Sequence, residues 1–264
     1  MIRVSPLALL AAAALLAPDA RAQSLSRRIA DVGDGIVVFS FASRPGVCGD
    51  GETYVRDGFG EGMRISERGN FSGRNRGDDW PPCIPGPVHV RATVSKGEII
   101  RLRTFGGPLR DRDAGERRDL GSVGVGEATS FLTHLVEQAN GRSASEAVLP
   151  LVLADSIDPW PTLLRFARDE RLSRSIRSSV DFWLARGASA TLGVADHDDD
   201  ADDDVRSSAV FALSQQPKDV AIPRLLEVAR HNAHPAARAQ ALFWLGQSGD
   251  PRAIDLFEEI LRRR

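Results

Sequence analysis

A nine-residue segment occurs three times, in related forms, in the second half of the chain. It reads IRSSVDFWL at residues 176–184, VRSSAVFAL at residues 205–213 and ARAQALFWL at residues 237–245. The copies begin 29 and then 32 residues apart. Repeats with a period of about thirty residues are typical of solenoids, whose units bury their apolar surfaces only against their neighbours. The copies therefore predict stacked helical units in this half of the chain.

Each copy has the apolar pattern of an amphipathic helix. Four positions of each copy share one sector of a helical wheel: Ile176, Val180, Trp183 and Leu184, then Val205, Ala209, Ala212 and Leu213, then Ala237, Ala241, Trp244 and Leu245. A second apolar segment follows the second and third copies, and Ile222 aligns with Ile254 in it. Asp219 and Asp250 are predicted N-caps, and Pro251 suits a first helical position. Each repeat is therefore predicted to be a pair of helices.

The repeated segments resemble a known family. VRSSAVFAL followed by AIPRLLEVA, and ARAQALFWLGQSGDPRAIDLF, are similar to HEAT repeats of the short class called HEAT-like or lyase-type, with the pattern V-R-x-x-A-x-x-A-L and then A-I-P-x-L. The resemblance covers about residues 143–264, with a capping helix expected at residues 127–139. It implies a right-handed superhelix whose concave surface binds proteins or peptides. The pattern positions are structural, so no catalytic residue is implied.

Two other residue types recur in the copies. Arg177, Arg206 and Arg238 each follow the first apolar position, and the resemblance implies that they bond to acidic groups or helix ends of the adjacent repeat. Phe182, Phe211 and Phe243 lie on the side of the wheel opposite the shared apolar sector, so they predict an aromatic column along successive helices. Two interpretations of this column stay open. It is either packed between repeats or exposed as a partner-binding surface.

The first 22 residues have the organisation of a signal peptide. A basic residue, Arg3, precedes an apolar run at residues 7–17, which is too short to span a bilayer. Ala20-Arg21-Ala22 then supplies a small-x-small cleavage site. No later segment is apolar enough for a transmembrane helix. We expect export and cleavage near Ala22, to the periplasm or the extracellular space.

The next hundred or so residues have the turn-rich composition of a small β domain. Residues 35–43 and 62–67 are predicted strands, and VHVRATVSKGEIIRLRTF is a predicted hairpin. A three-residue loop at residues 95–97 would place Ala92 opposite Ile100 and Val90 opposite Leu102, which keeps one face apolar.

The two cysteines of the chain, Cys48 and Cys83, predict a structural disulfide, because an even pair in an exported chain reads first as a bridge. The predicted fold class is α+β. A small disulfide-stapled β-rich domain (residues 23–126) precedes a right-handed HEAT-like α-solenoid (residues 127–264).

Candidate chemistry is sparse. Asp196, Asp198 and Asp200 alternate as in a calcium loop, but Ala201 replaces the glycine that such a loop needs at its turn. Ser130 and His134 lie one helical turn apart on a predicted helix, with no orienting acid nearby in sequence. The hydrolase, zinc-protease, nucleotide-loop and dinucleotide-binding motifs are missing. We expect no cofactor and no catalysis.

The sequence therefore predicts a non-catalytic, exported protein-interaction module or scaffold, with a protein or peptide as its partner. The net charge of −2 gives no reason to expect nucleic acid. Two alternatives stay open. One is a calcium-dependent envelope or adhesion protein, and the other is a lyase-type enzyme related to HEAT-repeat proteins that attach chromophores.

Overall fold

The structure is a computed structural model of the chain. It describes residues 25–58, 62–65, 71–72, 82–110, 117–138, 141–192 and 209–262. The predicted signal peptide lies outside these residues. Arg206 and the three acidic positions Asp196, Asp198 and Asp200 lie outside them as well.

The first half of the described chain is rich in strands. They are β1 (Gly35–Phe41), β2 (Val47–Gly49), β3 (Tyr54–Asp57), β4 (Gly62–Ile65), β5 (Phe71–Ser72), β6 (Ile84–Pro85), β7 (Val88–Ser95), β8 (Glu98–Gly106) and β9 (Arg117–Ser122). One sheet has the order β8-β7-β1-β9, with β1 antiparallel to β7 and parallel to β9. The second sheet is antiparallel, with the order β5-β4-β3-β2-β6. The predicted strands at residues 35–43 and 62–67 correspond to β1 and β4.

The β7–β8 hairpin has a different turn from the predicted one. The turn contains only two residues, Lys96 and Gly97, whose φ angles of 53° and 78° are those of a type I′ turn. A β-bulge follows, in which Thr93 pairs with Arg101 and Ile100 is left without a partner. The three-residue loop is therefore wrong. The bulge, not the loop, restores the apolar face, and it exposes the Ile100 side chain.

A contact from outside the hairpin explains why Lys96 tolerates a left-handed backbone. The carboxylate of Asp34 accepts a hydrogen bond from the Lys96 amide at 2.9 Å and from the Ser95 hydroxyl at 3.0 Å. The Gly97 amide donates to the Gly33 carbonyl at 2.8 Å. These bonds hold the turn in place, and none of them is evident from the hairpin segment alone.

The predicted disulfide is confirmed. Cys48 in β2 is bonded to Cys83, and their Cα atoms are 5.1 Å apart. Cys83 precedes β6, which pairs with β2 at the edge of the second sheet. The bridge therefore ties this edge together across 35 residues of sequence.

The second half of the chain is helical. The helices of the described residues are α1 (residues 25–30), α2 (Val125–Gln138), α3 (Arg142–Glu146), α4 (Val148–Leu153), α5 (Trp160–Arg168), α6 (Arg174–Thr191), α7 (residues 209–214), α8 (Lys218–His231), α9 (Pro235–Ser248) and α10 (Pro251–Leu261). As predicted, Asp250 caps α10 by accepting a hydrogen bond from the Arg252 amide. The predicted cap at Asp219 is wrong, because α8 begins at Lys218 and Asp219 lies in its first turn. No helix in these ranges is long and apolar enough to cross a membrane.

The sheets and the helices share one hydrophobic core. Phe39 of β1 packs edge-on against Phe131 of α2, with ring centroids 5.8 Å apart. The Arg44 amide donates to the Leu153 carbonyl at 2.9 Å, which joins the chain after β1 to the end of α4. Beyond this seam, the buried carboxylate of Asp57 in β3 forms an ion pair with Arg186 of α6. A division into domains at residue 126 stays a prediction.

The third repeat copy packs directly on the first. Helix α9 lies against α6 on one side and against α8 on the other, and α10 contacts α5 and α6. Gly246 allows this close approach, because a Cβ atom there would lie 2.7 Å from the Ala185 Cβ atom. Of the second copy, the structure describes only residues 209–213, in α7. Val210 is buried and Leu213 is partly buried against the core, whereas Ala209 and Ala212 are exposed, so the predicted apolar sector is wrong at these two alanines.

Removing the disulfide is expected to destabilise the fold. A bridge that closes a loop of this length stabilises a chain by about 4 kcal/mol in the chain-entropy model. A Cys48→Ser, Cys83→Ser double variant should lose most of that free energy of unfolding in urea titrations at fixed pH. Reduced wild type is the control and should match the variant. Equal stability of the oxidised protein and the double variant would contradict the prediction.

Breaking the buried ion pair is also expected to be costly. Arg186→Met removes the described cationic partner of a buried carboxylate, so it should lower the free energy of unfolding by about 3 kcal/mol. The matched control is Arg165→Met, because the Arg165 guanidinium bonds Glu137 at 2.6 Å in an exposed pair. That variant should cost less than about 1 kcal/mol. Similar losses for the two variants would show that Asp57 does not depend on Arg186.

Candidate functional site

The structure brings together two of the three phenylalanines of the predicted aromatic column. Phe211 of α7 and Phe243 of α9 both contact Trp244. The ring centroid of Phe211 lies 5.3 Å from that of Trp244, and the centroid of Phe243 lies 5.0 Å from it. Their exposed fractions are 46% and 39%, while the indole of Trp244 is half-buried between them. We call Phe211, Phe243 and Trp244 the aromatic patch.

Phe182 lies elsewhere. Its ring packs edge-on against Trp183 at 5.1 Å, and it is partly buried against the core. The aromatic column is therefore divided, because α6 packs on α9 directly and α7 does not lie between them. Among the described helices, Phe182 belongs to packing and the other two phenylalanines to a surface.

The repeat arginines also differ in what they contact. The guanidinium of Arg238 donates to the carbonyls of Asn232 at 2.8 Å and Ala233 at 3.2 Å, where α8 ends. Arg238 therefore bonds carbonyl groups of the segment that follows α8 and leads into α9. Arg177 occupies the same position of the first copy, but its Nε atom is buried without a hydrogen-bond partner among the described residues.

A groove with a volume of about 430 Å³ lies between α5 and α6 and the ends of α8, α9 and α10. We call it the charged groove because most of its polar lining is ionic. The lining includes four cationic side chains, Arg168, Arg174, Arg177 and Lys218, and three acidic ones, Glu170, Asp181 and Asp255.

Some of these charges have partners. Arg168 bonds Asp255 at 3.2 Å and also bonds Glu258, so its charge is matched within the groove wall. The ammonium group of Lys218 donates to the Ser248 carbonyl at 2.6 Å, near the end of α9. Arg174 is exposed at the start of α6. The rim of the groove therefore carries the cations Arg174 and Lys218, and its wall carries charges of both signs.

Asp181 is the most unusual residue of the groove. Only 5% of its surface is exposed, and its Oδ1 atom accepts no hydrogen bond from any described residue. Burial raises the pKa of its carboxyl group to about 7, against a smaller lowering by Arg177. A buried carboxylate oxygen that accepts no hydrogen bond destabilises a fold, so its presence needs an explanation.

The sequence contained a signal for Asp181 that the repeat analysis missed. Asp181 aligns with Val210 and Leu242, the sixth residues of the second and third copies. All three side chains are buried, so the first copy places a carboxyl group at a core position of the repeat. Comparison of the copies position by position would have identified it.

A second, smaller groove of about 200 Å³ lies beside α2 and brings Ser130, His134 and Glu137 together with three threonines. Glu137 bonds Arg165 at 2.6 Å, and no described hydrogen bond joins Ser130 to His134. A nucleophile and its general base are usually joined by such a bond, so the described geometry gives no support to a catalytic pair here. Within the described ranges, no three His, Cys, Asp or Glu side chains are grouped to hold a metal ion.

Comparisons with known proteins bear on the C-terminal part of the chain. No curated protein and no solved structure matches. The family model described as HEAT repeats matches residues 195–264, and the N-terminal part has no family match. The helices that carry the aromatic patch lie within this segment, while α6 precedes it. Extension of the repeats upstream to residue 143 stays a prediction. The resemblance to HEAT repeats is confirmed for residues 195–264, in the C-terminal part of the chain.

Proposed function

We propose that this protein is a non-catalytic scaffold that binds a partner protein through its HEAT helices. The observation that carries the proposal is the aromatic patch, in which Phe211 and Phe243 expose large apolar area around Trp244. Exposed aromatic clusters are typical of the residues that dominate binding energy at interfaces. HEAT repeats commonly mediate protein interactions, and this patch lies on the segment that matches them.

The proposed place of action is outside the cytoplasm. The Cys48–Cys83 disulfide supports it, because such bridges persist in oxidising compartments. The signal-peptide pattern at residues 1–22 points the same way. We further propose that the repeats form a right-handed superhelix with their partner on the concave side, as the family resemblance implies.

The two alternative functions have less support. A calcium-dependent adhesion protein would use Asp196, Asp198 and Asp200, which lie outside the described residues. A lyase-type enzyme would need a nucleophile or an acid–base pair with mutual contacts. The Ser130 and His134 geometry beside α2 does not supply one among the described residues.

Removal of the aromatic patch is expected to abolish partner binding without unfolding the protein. In a Phe211→Ala, Phe243→Ala double variant, affinity for the partner should fall by about several hundredfold, since central aromatic residues contribute about 2 kcal/mol or more each. The measurement is cross-linked co-purification of the mature chain from the export compartment, with folding checked by circular dichroism.

Two single variants serve as controls. Ile100→Ala removes an equally exposed apolar side chain from the β7–β8 bulge and should leave the partner bound. Phe182→Ala should lower the melting temperature instead, because Phe182 packs against Trp183. Retention of the partner by the folded double variant would exclude the aromatic patch as its binding surface.

A further inference from the structure

Two residues of α6 depart from what the other repeat copies do. At the sixth position, the second and third copies have Val210 and Leu242, and the first has Asp181. At the second position, the Nη1 atom of Arg238 in the third copy donates to the Asn232 carbonyl, whereas no described hydrogen bond joins the Arg177 side chain to a helix end and its Nε atom is buried without a described partner. Residues that lower stability by departing from the pattern of their repeat are expected mainly at functional sites.

Both departures lie in the same place. Arg177 and Asp181 are one helical turn apart, so their side chains share one face of α6, and both line the charged groove. Arg177 offers a hydrogen-bond donor and Asp181 an acceptor. A ligand in the groove that presents an acceptor next to a donor would satisfy both groups.

The charges of the groove decide between classes of ligand. A simple cation at Asp181 would be repelled by Arg174, Arg177 and Lys218, which line the same groove. A simple anion would be repelled by the buried Asp181 carboxylate. A peptide backbone carries a donor and an acceptor side by side, and an acidic side chain on it would match the cationic rim. A volume of about 430 Å³ is enough for a short peptide segment.

We propose that the charged groove binds an extended, acidic segment of a partner protein. Asp181 accepts a backbone N–H group of that segment, and Arg177 with the rim cations Arg174 and Lys218 binds the acidic side chain. The inference rests on the proposed scaffold function and adds to it a binding site on α6 whose ligand class is named. The groove differs from the aromatic patch in its residues, so the two surfaces are tested separately.

Binding at this site is coupled to a proton. A donor that bonds the carboxylate favours its ionised form, so the peptide binds more tightly as pH rises through the pKa of Asp181, which is about 7. The other charged groups that line the groove are Arg168 and Glu170 at α5, Arg174 and Arg177 on α6, Lys218 on α8 and Asp255 on α10. None of these described groups is a histidine, so a titration between pH 6 and pH 8 reports on Asp181.

The first test uses three blocked hexapeptides that differ only in one central residue, which is glutamate, glutamine or lysine. We expect saturable binding of the glutamate peptide to the full mature chain in calorimetric titration, with weaker binding of the glutamine peptide and none of the lysine peptide. Arg177→Gln should weaken the glutamate peptide about tenfold, the usual effect of losing one charge-assisted hydrogen bond. Arg238→Gln, the same change at the same position of the third copy, should leave the affinity unchanged.

The same titrations test Asp181. Between pH 6 and pH 8 the affinity of wild type for the glutamate peptide should rise, and that of the Asp181→Asn variant should stay constant. The proposal is overturned if no peptide binds, if the lysine peptide binds best, or if Arg177→Gln binds as wild type does.

A stability measurement separates a binding role from a structural one. Because the folded chain holds the Asp181 proton more tightly than the unfolded chain, whose reference pKa is 3.8, the fold loses stability as pH rises from about 4 to about 7. Asp181→Leu installs the residue of the third copy, so it should raise the melting temperature at pH 8 by about 3 °C or more while it weakens peptide binding. A lower melting temperature would assign Asp181 to the structure and overturn the proposal.

The Phe211→Ala, Phe243→Ala variant distinguishes this inference from the scaffold function. It should bind the glutamate peptide as wild type does. If the peptide fails to bind wild type while this variant still loses its partner, the groove inference falls and the scaffold function stands. If the peptide binds wild type but variants of both the aromatic patch and the charged groove retain the partner protein, the proposed scaffold function is wrong.

Discussion

Three consecutive residues of α6 contact three different parts of the molecule. Ala185 meets α9 where Gly246 has no side chain, Arg186 pairs with the buried Asp57 of β3, and the backbone at Gly187 lies against the Trp160 ring of α5. A Cβ atom at position 187 would be 2.3 Å from that ring. Because close-packed contacts tolerate almost no added volume, these three positions determine how the sheets, the first helices and the HEAT helices meet. The charged groove and the seam with the sheet both depend on this one helix.

Local structure was largely predictable from the sequence. A high content of Val and Phe predicts β1, apolar spacing predicts α2 and α6, and an even pair of cysteines predicts the disulfide. These features depend on residues near one another in the chain, or on chemistry with few alternatives. The β7–β8 turn shows where such reasoning fails. Asp34, about sixty residues upstream, holds Lys96 in a left-handed conformation, so a distant carboxylate decided the register.

The order of helix packing was not predictable in the same way. An amphipathic repeat shows which side of a helix is buried, but not which helix covers it. Sequence neighbours were expected to be neighbours in space, yet α9 lies between α8 and α6. This arrangement explains why the three phenylalanines do not form one continuous column. Phe182 stays on α6 with Trp183, and Trp244 of α9 gathers Phe211 and Phe243 into one surface.

Comparison of the three repeat copies shows which residue type is unusual at a given position. In a chain with three copies of one segment, the other two copies show which residue type packing prefers at the buried sixth position, and it is aliphatic in both, Val210 and Leu242. Asp181 therefore cannot be explained by the demands of the repeat, since an aliphatic side chain would remove the cost of burying a charge. Its position beside Arg177, in the groove that α6 forms with the last helices, agrees with the proposed ligand, which would supply in the bound state the hydrogen bond that the Oδ1 atom lacks in the free fold.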